Sequence, residues 1–163
     1  LSTIPQNNIG TISLIYKMEE IDIPYQINGL MIPRYEKRRI DAITWTSNKP
    51  INRAPEGYEL IRVFFGAGDP EMAELDDATL AAAVGAELED ILGITAEALA
   101  YKAFKWVRSF PQANVGHLDL VEKIKASLPA SIQLAGASYA GIGVPDCIAQ
   151  GRQSAENGLK EIS

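Results

Sequence analysis

The chain has 163 residues, of which 47% are hydrophobic and 22% charged, a balance that can bury a core and excludes wholesale disorder. Its 15 basic and 21 acidic residues leave a net charge of −6, which disfavours general attraction to nucleic-acid phosphates and argues against a nucleic-acid partner. Cys147 is the only cysteine and His117 the only histidine, so an intramolecular disulfide and a zinc site built from several Cys and His ligands are both excluded. A lone cysteine is expected in a reducing, cytoplasmic setting. No apolar run approaches the roughly 18 residues of a membrane-crossing helix, and no signal peptide is visible. The chain begins at Leu1 rather than Met and is expected to be a piece of a longer protein.

From Gly10 to Met18 the residues Ile12, Leu14, Tyr16 and Met18 alternate with Thr11, Ser13 and Lys17, the period of a half-buried strand that only Ile15 interrupts. Glu19 to Asn28 reads as a connection, with Pro24 and Asn28-Gly29 as turn signals. Leu30 to Ile32 predicts a short strand stopped by Pro33. The charged run Arg34 to Arg39 then predicts a solvated hairpin tip, whose Lys37, Arg38 and Arg39 could alternatively meet an acidic ligand. Ile40–Ser47 and Tyr58–Phe65 are rich in β-branched and aromatic residues, so this half of the chain reads as an antiparallel meander. Asp76 or Asp77 caps a predicted helix running to about Leu92, because Leu80, Val84, Leu88 and Leu92 recur every four residues and Gly93 follows as a stop. The carboxylates Asp76, Asp77, Glu87, Glu89 and Asp90 belong to that cap and to its solvated face. Ala100–Arg108 predicts another strand, and Leu118, Val121, Ile124 and Leu128 mark one face of a short helix ended by Pro129. Together these elements predict an α+β fold, a mostly antiparallel sheet with about three helices.

The last stretch carries the most information. Ile132–Ala137 predicts a buried strand, Gly141 and Gly143 a turn, and Val144-Pro145-Asp146 the start of a helix. Proline suits a first helical turn, and the carboxylate of Asp146 suits the positive end of the helix dipole. Free N–H groups at such a start can face an electron-rich ligand, and glycines let it approach the main chain. On the helix itself Cys147, Gly151, Ala155 and Gly158 form a stripe of small residues, which predicts close packing against a sheet or another helix. Cys147 is read as a small buried packing residue rather than a nucleophile, since no basic residue neighbours it in sequence to lower its pKa.

The run Leu134 to Arg152, LAGASYAGIGVPDCIAQGR, closely resembles the C-terminal flavin-binding signature of oxygen-dependent protoporphyrinogen oxidases and, more distantly, that of flavin amine oxidases. Pro111-Gln112 followed by Val115-Gly116-His117 resembles the PQ…GH segment of the same family. Trp106 stands where bacterial members carry a tryptophan, and Gly29-Leu30-Met31-Ile32-Pro33 looks like the family's substrate-domain strand. The resemblance covers the chain from about Gly10 onward. It implies that the terminal helix directs its N-terminal end at the pyrimidine side of an FAD isoalloxazine. Ile142, Gly143 and Val144 would then contact FAD through their backbone, Gly136 and Ala137 would pass near its ribityl chain, and Trp106 would pack against it, while Pro145, Asp146 and Cys147 shape the helix start. Gly29, Met31 and Phe64 match the positions that clamp the substrate. Read without the resemblance, the glycines are turn formers, and Met31, Phe64 and Trp106 are core residues. His117 aligns with a family histidine and is not assigned as a base.

The function so implied for the parent protein is FAD-dependent oxidation of protoporphyrinogen IX to protoporphyrin IX in haem synthesis, with oxygen as the acceptor. No catalytic side chain and no metal is implied, because the cofactor carries the chemistry. Residues 1–108 would form a substrate-domain-like sheet and helix, and residues 109–163 an FAD-binding segment. Gly136, Gly141 and Gly143 do not have the G-x-G-x-x-G spacing that holds a dinucleotide pyrophosphate. The piece alone is therefore expected to be inactive and to bind FAD poorly. Peripheral membrane association and a homo-oligomer stay open for the parent. Two alternatives stand beside this reading: a related flavin oxidase acting on an amine or another polycyclic substrate, and a non-catalytic interaction domain with an apolar sheet facing a partner.

Overall fold

Alternation along the strands decides which side of the sheet becomes core. The computed structural model describes residues 3–22, 27–48 and 53–162; the turn expected at Pro24 lies outside them. Its sheet contains β1 (Gln6–Lys17), β2 (Gly29–Met31), β3 (Ile40–Trp45), β4 (Tyr58–Phe65) and β5 (Ala100–Pro111) in the order β2-β3-β4-β1-β5. β2, β3 and β4 form the expected antiparallel meander, but β1 does not lead into it. β1 lies on the far side of β4, pairing antiparallel from Gly10↔Phe65 to Lys17↔Tyr58. With α1 (Asp77–Leu92), α2 (His117–Ser127) and α3 (Val144–Ile162), the molecule is the α+β fold with an antiparallel sheet and three helices that the sequence predicts.

Contacts divide the chain into two units, Asn8–Ser109 and a second made of Leu1–Asn7 with Phe110–Ser163. In the first, Ile12, Leu14 and Tyr16 of β1, Ile40, Ile43 and Trp45 of β3, and Ile61, Val63 and Phe65 of β4 are buried in one cluster with Leu80, Val84, Leu88 and Leu92 of α1. The every-fourth-residue spacing puts those three leucines and one valine on one stripe of α1. Asp76 caps the helix by accepting from the N–H groups of Ala78 and Thr79, and Gly93 closes it at φ 73. Gly10 is needed opposite Phe65, because a Cβ there would meet the ring at 2.3 Å. A bulge between Ile40 and Ala42 interrupts the β3–β4 register. The Asp41 carboxylate at that bulge accepts from the N–H groups of Ala67 and Gly68. The hairpin tip at Arg34–Arg39 is less solvated than expected: Arg38 pairs with Asp90 and Glu87, and Arg39 with Asp69.

The second unit departs from expectation in three places. Ile132–Ala137 is not a strand. A strand is stable only when its N–H and C=O groups find a neighbouring strand, and none pairs with this segment among the described residues. Half-exposed Ile132 accordingly contributes little core. The small-residue stripe of α3 is not a packing seam either, since a Cβ placed at Gly151 or Gly158 would meet nothing within 4 Å. Cys147 is half-buried rather than buried. On α2 only Val121 is buried, and Leu118 is 70% exposed. No helix among the described residues is long and apolar enough to cross a membrane.

Two tests follow from the sheet–helix core. Leu88 is fully buried beneath the sheet, so Leu88→Ala should lower the unfolding free energy by about 2–5 kcal/mol in urea titration. Glu59 is buried in β4, where its carboxylate accepts from the Ser47 hydroxyl, and burial pushes its pKa up from the ordinary glutamate value. A raised acid pKa means that folding binds the proton; the stabilisation is present at low pH and is lost as pH rises through the raised value. Glu59→Gln has no such loss, so its melting temperature should gain on the parent sequence between about pH 4 and pH 8. A gap that stays flat over that range would refute the assignment.

Candidate functional site

The face of the sheet turned away from α1 follows from the same alternation. In β4 the residues between the buried ones are Leu60, Arg62 and Phe64. Phe64 pairs with Thr11 on one side and with Ala42 on the other, and Ala42 in turn pairs with Met31. One step along, Arg62 lies between Ser13 and Thr44, and Thr44 pairs with Gly29. Gly29, Met31 and Phe64 are thus brought onto one face by register. A Cβ at Gly29 would meet the Ile43 carbonyl oxygen at 2.7 Å, so this position admits no side chain without movement of the backbone.

β5 adds to that face. Ala103 is in the core, Tyr101 lines a cleft with Leu14 and Tyr16, and Lys105 donates to the Leu75 carbonyl and pairs with Asp77 on the α1 side. Lys102, Phe104 and Trp106 therefore point the other way. Phe104 and Trp106 stack with centroids 6.1 Å apart at 21°, and the Lys102 ammonium lies 6.0 Å from the Phe104 ring, within cation–π range. Met31 is 85% exposed and Trp106 47%. Met31 and Trp106 therefore lie outside the hydrophobic core of this unit. Phe104 and Arg62 escaped the sequence analysis; the signal that finds them is their two-residue spacing from Trp106 and Phe64.

In the other unit, Gly136, Ala137, Ile142, Gly143 and Val144 all fall on the segment leading into α3. Gly136 has φ 136 and Gly141 φ 154, values that L side chains rarely adopt. Gln150 of α3 holds this segment with both ends of its amide: the Gly136 N–H donates to its oxygen at 3.2 Å, and its nitrogen donates to the Gly141 carbonyl at 3.3 Å. Ser154 donates to the Leu134 carbonyl at 3.1 Å, and the Cys147 N–H closes the first turn on the Gly143 carbonyl at 2.9 Å. The N–H groups ahead of Cys147 have no carbonyl four residues back to bond within the helix. Such groups can donate to an electron-rich atom. Val144 is 74% exposed there, and the Asp146 carboxylate folds back toward the glycines, where a Cβ on Gly143 would meet its oxygen at 2.7 Å.

The two glycines of this turn differ in what they tolerate. A Cβ on Gly143 meets mainly the mobile end of Asp146, whereas one on Gly141 meets the Asp146 Cβ itself at 2.9 Å and requires positive φ. Gly141→Ala should therefore accelerate amide hydrogen exchange at Asp146 and Cys147, and Gly143→Ala should leave it nearly unchanged. Equal effects would show that backbone strain does not set the helix start.

No protein-family model matches the chain. It is 29% identical over 163 residues to coproporphyrinogen III oxidase of Bacillus subtilis (strain 168), covering 98% of this chain and 35% of the relative. It is 32% identical over 140 residues to the protein of the same name from Mycobacterium leprae (strain TN), covering 85% of this chain and 30% of that one. The crystal structure of a candidate protoporphyrinogen oxidase from Exiguobacterium sp. 255-15 superposes with a TM-score of 0.81 and 26% identity, over 98% of this chain and 36% of the other. The chain spans about a third of the length of the curated relatives it matches. Over nearly its whole length, in sequence and in fold, the chain is similar to one third of the porphyrinogen oxidases that its glycine-rich run resembles.

Proposed function

We propose that this chain supplies the substrate-facing sheet and the flavin-edge helix of an FAD-dependent oxidase that converts a porphyrinogen into its porphyrin in haem synthesis. The observation that carries this reading is the co-facial arrangement of Gly29, Met31, Phe64, Phe104 and Trp106 on a sheet surface that the core does not use. A broad apolar platform with stacked rings suits a large macrocycle and offers little to a small amine. The segment 136–144 fits the flavin's carbonyl edge on chemical grounds, because it combines positive-φ glycines, bare main chain and the Val144 and Asp146 N–H groups at a helix start. Ile142, Gly143 and Val144 would hold that edge and Gly136 and Ala137 would lie along the ribityl chain, while on this reading Trp106 would belong to the substrate platform rather than to the flavin contacts that the motif implies for it. Bound FAD would supply the redox chemistry that removes six hydrogens from a porphyrinogen, with oxygen as the acceptor. The chain's residues bind, orient and exclude water; none is required as a nucleophile.

For the substrate, the names of the relatives favour coproporphyrinogen III over the protoporphyrinogen IX that the sequence motif alone implied. The two differ where propionates of the first are vinyl groups in the second. The full-length parent, mixed anaerobically with each porphyrinogen, should show bleaching of its flavin absorbance, faster with coproporphyrinogen III. Bleaching by an amine and by neither porphyrinogen would overturn the reading. Faster bleaching by protoporphyrinogen IX would reverse the order of the two substrates.

A further inference from the structure

The charge pattern of the sheet unit contains one exception. Among the described residues, the half-buried cations Lys17, Arg38, Arg39 and Lys105 each have a carboxylate within ion-pair distance. Arg62 is half-buried too and has none. Its Nε donates to the Ser13 hydroxyl at 3.3 Å, and no described residue accepts from its two terminal nitrogens. The acidic residue nearest in its own strand is Glu59, which alternation places on the opposite, core face. Around Arg62 on the open face are the hydroxyl-bearing Ser13 and Thr44 in the flanking strands and Leu60 and Phe64 in its own.

A guanidinium partly withdrawn from water without a counter-ion is held at a cost, and a bound anion relieves it. Anchoring Nε on Ser13 also limits rotation of the fork and leaves the terminal N–H donors for a planar acceptor, the geometry in which arginine grips a carboxylate with two bonds. We propose that Arg62 anchors a carboxylate of the substrate, so that a ring seated on Met31, Phe64 and Trp106 is fixed in one orientation by one of its acidic arms. This rests on the porphyrinogen reading and adds to it a residue that separates acidic from uncharged macrocycles.

The test uses the full-length parent and its Arg62→Gln and Arg62→Lys variants with two porphyrinogens, coproporphyrinogen III and its tetramethyl ester, solubilised alike. Arg62→Gln should raise KM for the acid about tenfold, a loss in the range of one charge-assisted hydrogen-bonded contact. It should leave kcat within about twofold and KM for the ester unchanged, while Arg62→Lys recovers part of the acid's affinity. Affinity for the product porphyrin and its ester, followed by quenching of protein fluorescence, should divide in the same way without any turnover. An equal change for acid and ester, or no change for either, would overturn the anchor. Failure of the unmodified parent to oxidise any porphyrinogen would instead overturn the reading on which it rests. Fluorescence titration still scores Arg62 in that case, since a selective loss of acid binding supports the anchor and its absence refutes it.

Discussion

The packing of α1 on one face of the sheet is the constraint on which the rest of the first unit depends. Once Ile12, Leu14, Tyr16, Ile43, Ile61, Val63 and Phe65 are committed to Leu80, Val84 and Leu88, the pleat leaves no choice about where Thr11, Ser13, Arg62 and Phe64 go. A slip of one residue in any central strand would exchange the two sets, placing Arg62 in the core and Val63 on the open face. The stability of the core and the composition of the candidate site are therefore set by the same register. Burial of Tyr16, whose phenol pKa is pushed up to about 12 by desolvation, belongs to the same commitment.

The second unit is organised differently. Its helix-start loop is shaped by local hydrogen bonds more than by burial. Gln150 and Ser154 reach from α3 to the main chain of residues 134–141 and occupy part of the bonding capacity that a neighbouring strand would otherwise fill. The loop's backbone is thus partly satisfied from the helix side, and side chains such as Ile142 and Val144 stay outside. An arrangement of this kind keeps a main-chain surface accessible while holding its shape.

What could be read in the sequence depended on whether the cause was local. Asp76, the four-residue spacing through Leu92 and Gly93 specify α1 completely, because cap, stripe and stop all act within a few residues. Tyr58–Phe65 was legible for the same reason. The position of β1 between β4 and β5 was not, since strand order depends on contacts far apart in sequence. The apolar run Ile132–Ala137 has strand composition but lacks the partner that turns composition into a strand. At the site, the glycines and helix start announced themselves by motif. The open sheet face did not: Met31 and Phe64 look like core until register assigns them a side, and Arg62 has no motif at all.

The bulge at Asp41 has a further consequence. An extra residue in one strand increases the right-handed twist of the pair, and a twisted sheet presents a saddle rather than a plane. On the proposed reading this shape would discriminate between the two ends of the reaction. A porphyrinogen, with tetrahedral carbons bridging its pyrroles, is puckered and can follow a saddle, whereas the conjugated porphyrin is flat and touches it along a narrower band. The curvature introduced by one carboxylate-braced bulge would then favour the reduced ring as the lodger and the oxidised ring as the one that leaves.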